Sequence, residues 1–297
     1  MSTAVRVVVI GVLLTGAVAL HMDITRRYRR FEPAAGMLYV TSPELLSRLV
    51  LSFDALAADV YWIRAVQHYG DTKRAESGSK RYELLYPLLD LTTTLDPRFN
   101  IAYRFGAILL SEEYPAGPGR PDHAIALLEK GLRANPQKWE YMHDIGFVHY
   151  WWRRDYPAAA EWFLRASKLP QAPNWLVPLA ASVTAEGGDR RTARAMWTQI
   201  RDNSEQEWMQ RSAVVALGRL EAEELIERLE ALILRYQRDT GRAVEGWPTL
   251  VRAGYLRGEP LDPAGVPLVY DAGTATVSVA ETSPLFPLKR QQKALTR

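Results

Sequence analysis

Two histidines, His143 and His149, stand six residues apart in YMHDIGFVHYWWRRDYPAAAEWF, residues 141–163. Ten of these 23 side chains are aromatic if the histidines are counted, a density that suits a ligand box, a metal pair or a packed core. Six residues turn a helix by about 600° and leave two rings about 120° apart. A helical metal pair instead uses i and i+4 on one face. The spacing therefore favours two ordinary helix histidines, and no metal is expected. Glu221, Glu223, Glu224, Glu227 and Glu230 crowd one stretch among arginines, the pattern of a solvated helix face. Glu259, Asp262 and Asp271 supply few oxygens against the six or more that calcium takes, so calcium is not expected either. No P-loop, dinucleotide fingerprint or G-x-S-x-G elbow occurs. The absence of cysteine excludes disulfides, Cys-based zinc or iron–sulfur sites and a thiol nucleophile. These residues assemble no catalytic constellation, and neither an enzyme nor a cofactor is expected.

The chain has 297 residues, 47% hydrophobic and 24% charged, enough for one elongated domain or two compact ones. Its formal net charge of +3 is spread over interspersed Arg and Glu, which does not imply nucleic acid.

At the N-terminus an uncharged run extends from Val7 to Leu20. With Ala4 and a snorkelling Arg6 it approaches a short membrane span, while Ala17-Val18-Ala19 fits a cleavage site. A single-span anchor over residues 1–22 is the favoured expectation, a cleaved signal the alternative. Arg26, Arg27, Arg29 and Arg30 follow the run and favour a cytoplasmic body by the positive-inside rule. The short leading tail looks instead like an export signal-anchor, placing the anchor in the inner membrane and the body in the periplasm.

After a connector over 23–53, helical periodicity runs from about Leu45 to Tyr236, punctuated by Pro and Gly. Gly106, Ala124, Leu128 and Pro136 fall where a helical hairpin wants a small residue, a small residue, a large one and a stop. The insertion EYPAGPGRP widens that hairpin. Ile145-Gly146 then precedes Ala159, Phe163 and Ala166 at intervals of four and three, and Ala181, Ala193 and Trp197 repeat the scheme. A degenerate first unit carries Trp62, Ala65-Val66 and Tyr69, and closes at Leu95-Asp96-Pro97. This pattern resembles tetratricopeptide repeats, about four units over residues 54–202. The resemblance implies a mainly α fold, a solenoid of helical hairpins with a concave face. A further helix pair over 203–240, opened by a capping box of Ser204 and Glu207, is expected to cap it.

The C-terminal stretch carries Tyr236, Gly241, Leu250, Gly254-Tyr255-Leu256, Pro260, Asp262-Pro263, Gly265, Pro267 and Tyr270. It resembles the end of the major pseudopilin of type II secretion systems, with Ala264 and Leu268 in place of the usual tryptophan and tyrosine. The resemblance implies a small α+β element over 241–282 whose hairpin turns at Ala272-Gly273, followed by a tail over 283–297. An N-terminal span, helical repeats and this ending together look like bacterial envelope tetratricopeptide proteins. The expected role is a membrane-tethered scaffold binding a protein or peptide partner, in pilus, secretion or envelope assembly. A permanent structural subunit of a membrane complex is the alternative. Tyr103, Tyr141, His143, Tyr150 and Trp151 on the first helices of the hairpins, with Trp152, Arg153 and Arg154, form the expected partner face. Trp151 and Trp152 are adjacent, so α-helical geometry cannot turn both to one seam.

Overall fold

The structure, a computed structural model, describes residues 15–20, 22–23, 52–76 and 80–295. Residues 15–20 are helical, but most of the expected N-terminal span and of the connector lies outside the described residues. Among the described residues no helix is long and apolar enough to cross a membrane. The fold is mainly helical, as the periodicity implies. The chain divides into two compact units, residues 1–102 with 113–119, and residues 103–112 with 120–297.

In the first unit α1 (Asp54–Arg74) packs along α2 (Leu85–Leu95). Ala58, Tyr61, Ala65 and Tyr69 recur at threes and fours and form the buried stripe of α1. The Tyr82 hydroxyl donates to the carbonyls of Pro115 and Ala116 at 3.1 and 3.0 Å, which fixes the inserted loop against this unit. Phe53, Leu56, Val60 and Ile63 form an exposed apolar stripe on the other side of α1.

The second unit contains most of α3 (Asn100–Ser111), then α4 (Pro121–Ala134), α5 (Trp139–Val148), α6 (Tyr156–Ser167), α7 (Leu176–Glu186) and α8 (Arg190–Asn203). From α4 onward each helix packs on the next, a series of helical hairpins. Asp155 and Asp189 cap α6 and α8, accepting from the backbone N–H of Ala158 and Thr192 at 3.1 and 3.0 Å. Small residues set how closely the helices approach. A Cβ at Gly146 would lie 2.7 Å from the Phe163 ring and 3.2 Å from the Ala159 carbonyl, so α5 touches α6 through bare backbone. Gly131 on α4 makes the same kind of contact, its missing Cβ replaced by the rings of Tyr103 and Tyr141.

The expected pair of capping helices is one helix, α9 (Glu207–Thr240), 34 residues long. Its Ala-, Leu-, Glu- and Arg-rich composition carries it unbroken through Gly218, where Leu285 packs 2.9 Å from the absent Cβ. The expected capping box does not form. Ser204 follows the end of α8, and its hydroxyl accepts from the N–H of Gln206, whose own side chain makes no cap bond. The N-terminal half of α9 joins α8 through Met209, Ala213, Leu220, Trp197 and Ile200. Its C-terminal half, through Ile226, Leu229, Ile233 and Tyr236, is the floor of the C-terminal element. Gly241 ends the helix in the left-handed region at φ 66°, where a Cβ would be strained.

Beyond it stand α10 (Trp247–Arg252) and an antiparallel pair, β1 (Val269–Asp271) and β2 (Thr276–Ser278), with Tyr270 opposite Val277. The strands are joined by four residues rather than a two-residue turn. The Asp271 carboxylate accepts from the Gly273 N–H and the Thr274 hydroxyl, and Ala275 takes φ 54°. Residues 283–295 are not a loose tail. Leu285 and Leu288 enter the core on α9, and α11 (Lys289–Leu295) sends Arg290 to Glu227 and Glu230.

Candidate partner-docking surface

Exposed apolar residues collect on the first helices of the hairpins in the second unit. Phe105 and Ile108 on α3, Phe147 on α5, Trp151 just after it and Trp175 before α7 are all at least a third exposed. His143, Phe147 and Trp151 follow one another at intervals of four. Their rings stack in series, His143 on Phe147 at 6.5 Å and 18°, Phe147 on Trp151 at 6.2 Å and 11°. Arg154 closes the ladder with its guanidinium 5.8 Å from the Trp151 ring centre. Trp175 meets His143 edge-on at 5.5 Å.

The helix widens where this ladder ends. His149–Arg153 form a π-turn, closed by Arg154 in the left-handed region at φ 55°. In an α-helix only one of two adjacent side chains can meet the residue a turn earlier. A π-turn holds more residues per turn, bringing residues four and five positions back within reach. Trp152 therefore also touches Phe147, edge-on at 5.6 Å and 84°. Trp151 faces outward and is 51% exposed, while Trp152 turns into a pocket of about 190 Å³ with Ile108, Phe147 and Val148.

One wall of that pocket is polar. Arg104 on α3 grips Asp144 on α5 through two guanidinium nitrogens, and the same carboxylate bonds His143 Nδ1 at 2.9 Å. The hydrogen bonds to Asp144 hold the Arg104 guanidinium charged, against partial burial. This fork ties two hairpins together and orients the His143 ring under Phe147. Tyr150 leaves the ladder on another side, donating its hydroxyl to Glu186 at 3.0 Å.

Tyr103 and Tyr141 do not belong to this surface. They are 0% and 1% exposed, meet each other at a tilt of 51° with ring centres 5.2 Å apart, and fill the space beside Gly131. Burial pushes the Tyr141 phenol well above its usual range. The repeat scheme places tyrosines on these helices, but it was Gly131, unmarked by the scheme, that drew the rings inward. Arg153 and Arg154 are exposed, and no carboxylate stands within ion-pair distance of either among the described residues. Phe105, Ile108, Phe147 and the Arg104–Asp144 fork were missed from sequence, although the i, i+4, i+8 spacing of His143, Phe147 and Trp151 was visible in it.

The two histidines of the segment have separate partners. His149 Nδ1 is buried without a hydrogen bond, 3.6 Å from the Asp155 carboxylate. In the C-terminal loop the Asp262 carboxylate accepts from two backbone N–H groups and a hydroxyl. Neither protein-family models nor curated proteins match this chain. The functional reading therefore rests on the surface itself.

His149 also gives a pH signature. Burial, and secondarily the charge of Arg153, lower its pKa below the ordinary value, with Asp155 and Glu129 opposing. The unfolded chain then takes up the proton first as pH falls, so stability is complete above about pH 6.5 and declines below it. His68 shifts the same way, again by burial. The urea midpoint is expected to fall between pH 7.5 and 5.5, with a shallower fall in His149→Gln; an identical slope would contradict this placement.

Proposed function

We propose that this protein is a non-catalytic, membrane-tethered scaffold of tetratricopeptide-type hairpins that docks a protein partner on its first-helix face. The observation that carries the reading is the exposed Phe147 and Trp151, stacked in series on the half-buried His143, beside the Trp152 pocket. Exposed aromatic rings flanked by arginine are the side chains that dominate binding energy at protein interfaces. Arg153 and Arg154 suit a partner that offers an acidic residue next to an apolar anchor, the anchor entering the pocket of Ile108, Phe147 and Trp152. The tetratricopeptide reading is supported by the contact of Gly146 with Phe163 and by the burial of Ala159, Ala166, Ala181 and Ala193 at its small positions. The tether is supported by the uncharged run Val7–Leu20. The pseudopilin-like ending would act as a second docking module in pilus, secretion or envelope assembly, with the body on the periplasmic side of the inner membrane.

Crosslinking mass spectrometry on intact membranes tests partner and compartment together. Once a partner is captured, Trp151→Ala should cut its recovery about tenfold or more, the scale of a hot-spot truncation. Helical circular dichroism should stay unchanged, because Trp151 is half exposed. Undiminished capture would remove this surface from the reading. Blue-native electrophoresis showing the protein only in a fixed stoichiometric complex would favour a permanent structural subunit instead.

A further inference from the structure

A second cavity, of about 610 Å³, lies in the second unit between α7, α8, α9 and the segment that enters α11. Its floor is apolar, made by Trp197, Val215, Leu220 and Leu288, and Trp197 is only 5% exposed. Its size falls within the range of small-molecule sites, about 300–1,000 Å³, and its lining combines an apolar body with a few convergent charges.

The charges on its wall are unevenly paired. Glu186 is held by Lys289 at 3.1 Å and by the Tyr150 hydroxyl at 3.0 Å. Glu223 stands 3.6 Å from Arg190. Lys289 thus belongs to Glu186, while Glu223 shares Arg190 with Glu227, which holds its two terminal nitrogens at 2.7 Å. Arg219 is half-buried and donates Nε to the Leu285 carbonyl at 3.1 Å, with no carboxylate in ion-pair distance among the described residues. Arg211, two turns earlier on the same side of α9, pairs only with Glu207 at 3.3 Å, where both side chains are over 70% exposed. With Nε of Arg219 committed to Leu285, the two terminal nitrogens remain, parallel donors that match the two oxygens of a planar carboxylate.

We propose that this cavity binds an aliphatic monocarboxylate, its head on Arg219 with Arg211 at the rim and its chain over Trp197, Val215 and Leu220. The carbonyl of Leu285 orients the guanidinium, and the apolar floor excludes water from the chain. A simple cation would meet the Arg219 guanidinium, and a neutral alcohol would leave Arg219 without a counter-ion.

Isothermal titration of octanoate into the full chain in lipid nanodiscs, with empty nanodiscs subtracted, tests this. Saturable one-site binding is expected for octanoate, and heats no larger than the empty-disc control for 1-octanol and octylammonium. Arg219→Gln should weaken octanoate binding about tenfold or more, as loss of a charge-assisted pair does. Arg211→Gln, on an exposed position that leaves the helix intact, should weaken it about threefold. Should Arg219→Gln lose helical circular dichroism, Arg211→Gln and the ligand series decide. Equal binding of octanol and octanoate, or no saturable octanoate binding at all, overturns the proposal.

Discussion

Replacing Asp262 with alanine is expected to unfold the C-terminal element while leaving the hairpins upstream of α9 intact. Asp262 is 4% exposed, and its carboxylate collects three donors. One oxygen accepts from the N–H groups of Ala264 and Val266, both at 2.9 Å, and the other from the Ser283 hydroxyl. Its own N–H donates to the Val266 carbonyl at 2.8 Å, closing the turn through Gly265. Ser283 Oγ in turn accepts from the N–H of Leu285, so one side chain connects the loop to the segment that returns along α9. Truncation leaves a buried hydroxyl and two part-buried N–H groups without their acceptor. An unsatisfied buried donor costs about 1–3 kcal/mol and a partly solvated one less, so a loss of about 2 kcal/mol or more is expected. That is a large fraction of the about 5–15 kcal/mol holding a domain together. Hydrogen exchange should show lost protection from Val244 to Leu288 and retained protection in α4–α8. Asp262→Asn keeps an oxygen for the two backbone donors, and the Ser283 hydroxyl can rotate to accept from the amide, so most of the stability should survive. A silent Asp262→Ala would mean that the three bonds do not hold the element.

What the sequence made legible divides along physical lines. Hairpin positions were readable because Gly146, Ala159, Phe163 and Ala166 sit at the helical period, where burial depends on local spacing. The return of residues 283–295 was not, because the match of Leu285 to Gly218 joins positions 67 apart and leaves no periodic trace. The same holds for Arg290 on Glu227 and Glu230, which looked like one solvated carboxylate face but supplies ion-pair partners to α8 and α11. Ser204 and Glu207 have capping-box spacing, but the helix starts after Gln206, so Glu207 stands at its first position rather than its third. At the docking surface the aromatic identities were legible and their facing was not. Whether Trp151 or Trp152 turns outward depends on a π-turn, whose extra residue no α-helical wheel represents.

Gly146→Ala is expected to be the most damaging small change in the hairpins, and it connects their packing to the docking surface. The added methyl would lie 2.7 and 2.8 Å from two ring carbons of Phe163 and 3.2 Å from the Ala159 carbonyl. Neither neighbour can yield cheaply. Phe163 is 2% exposed and enclosed by Ala160, Ala166, Leu176, Ala180 and Val183, and Ala159 O is backbone within α6. Alanine's better helix propensity offsets about 1 kcal/mol. Overpacking of a tight core costs about 1–3 kcal/mol, and here the lower neighbours are rigid, so the net should still destabilise. The Phe163 ring also lies 5.5 Å from His143, the base of the exposed ladder. A shift there should tilt His143 and Phe147, and partner capture should fall together with thermal stability, unlike Trp151→Ala, which should lower capture alone. Phe163→Leu in the same chain frees the space the methyl needs. The double variant should then be more stable than the sum of the two single losses, a coupling of about 0.5–3 kcal/mol for residues in contact. Strictly additive losses would show that α5 and α6 do not meet through Gly146 and Phe163.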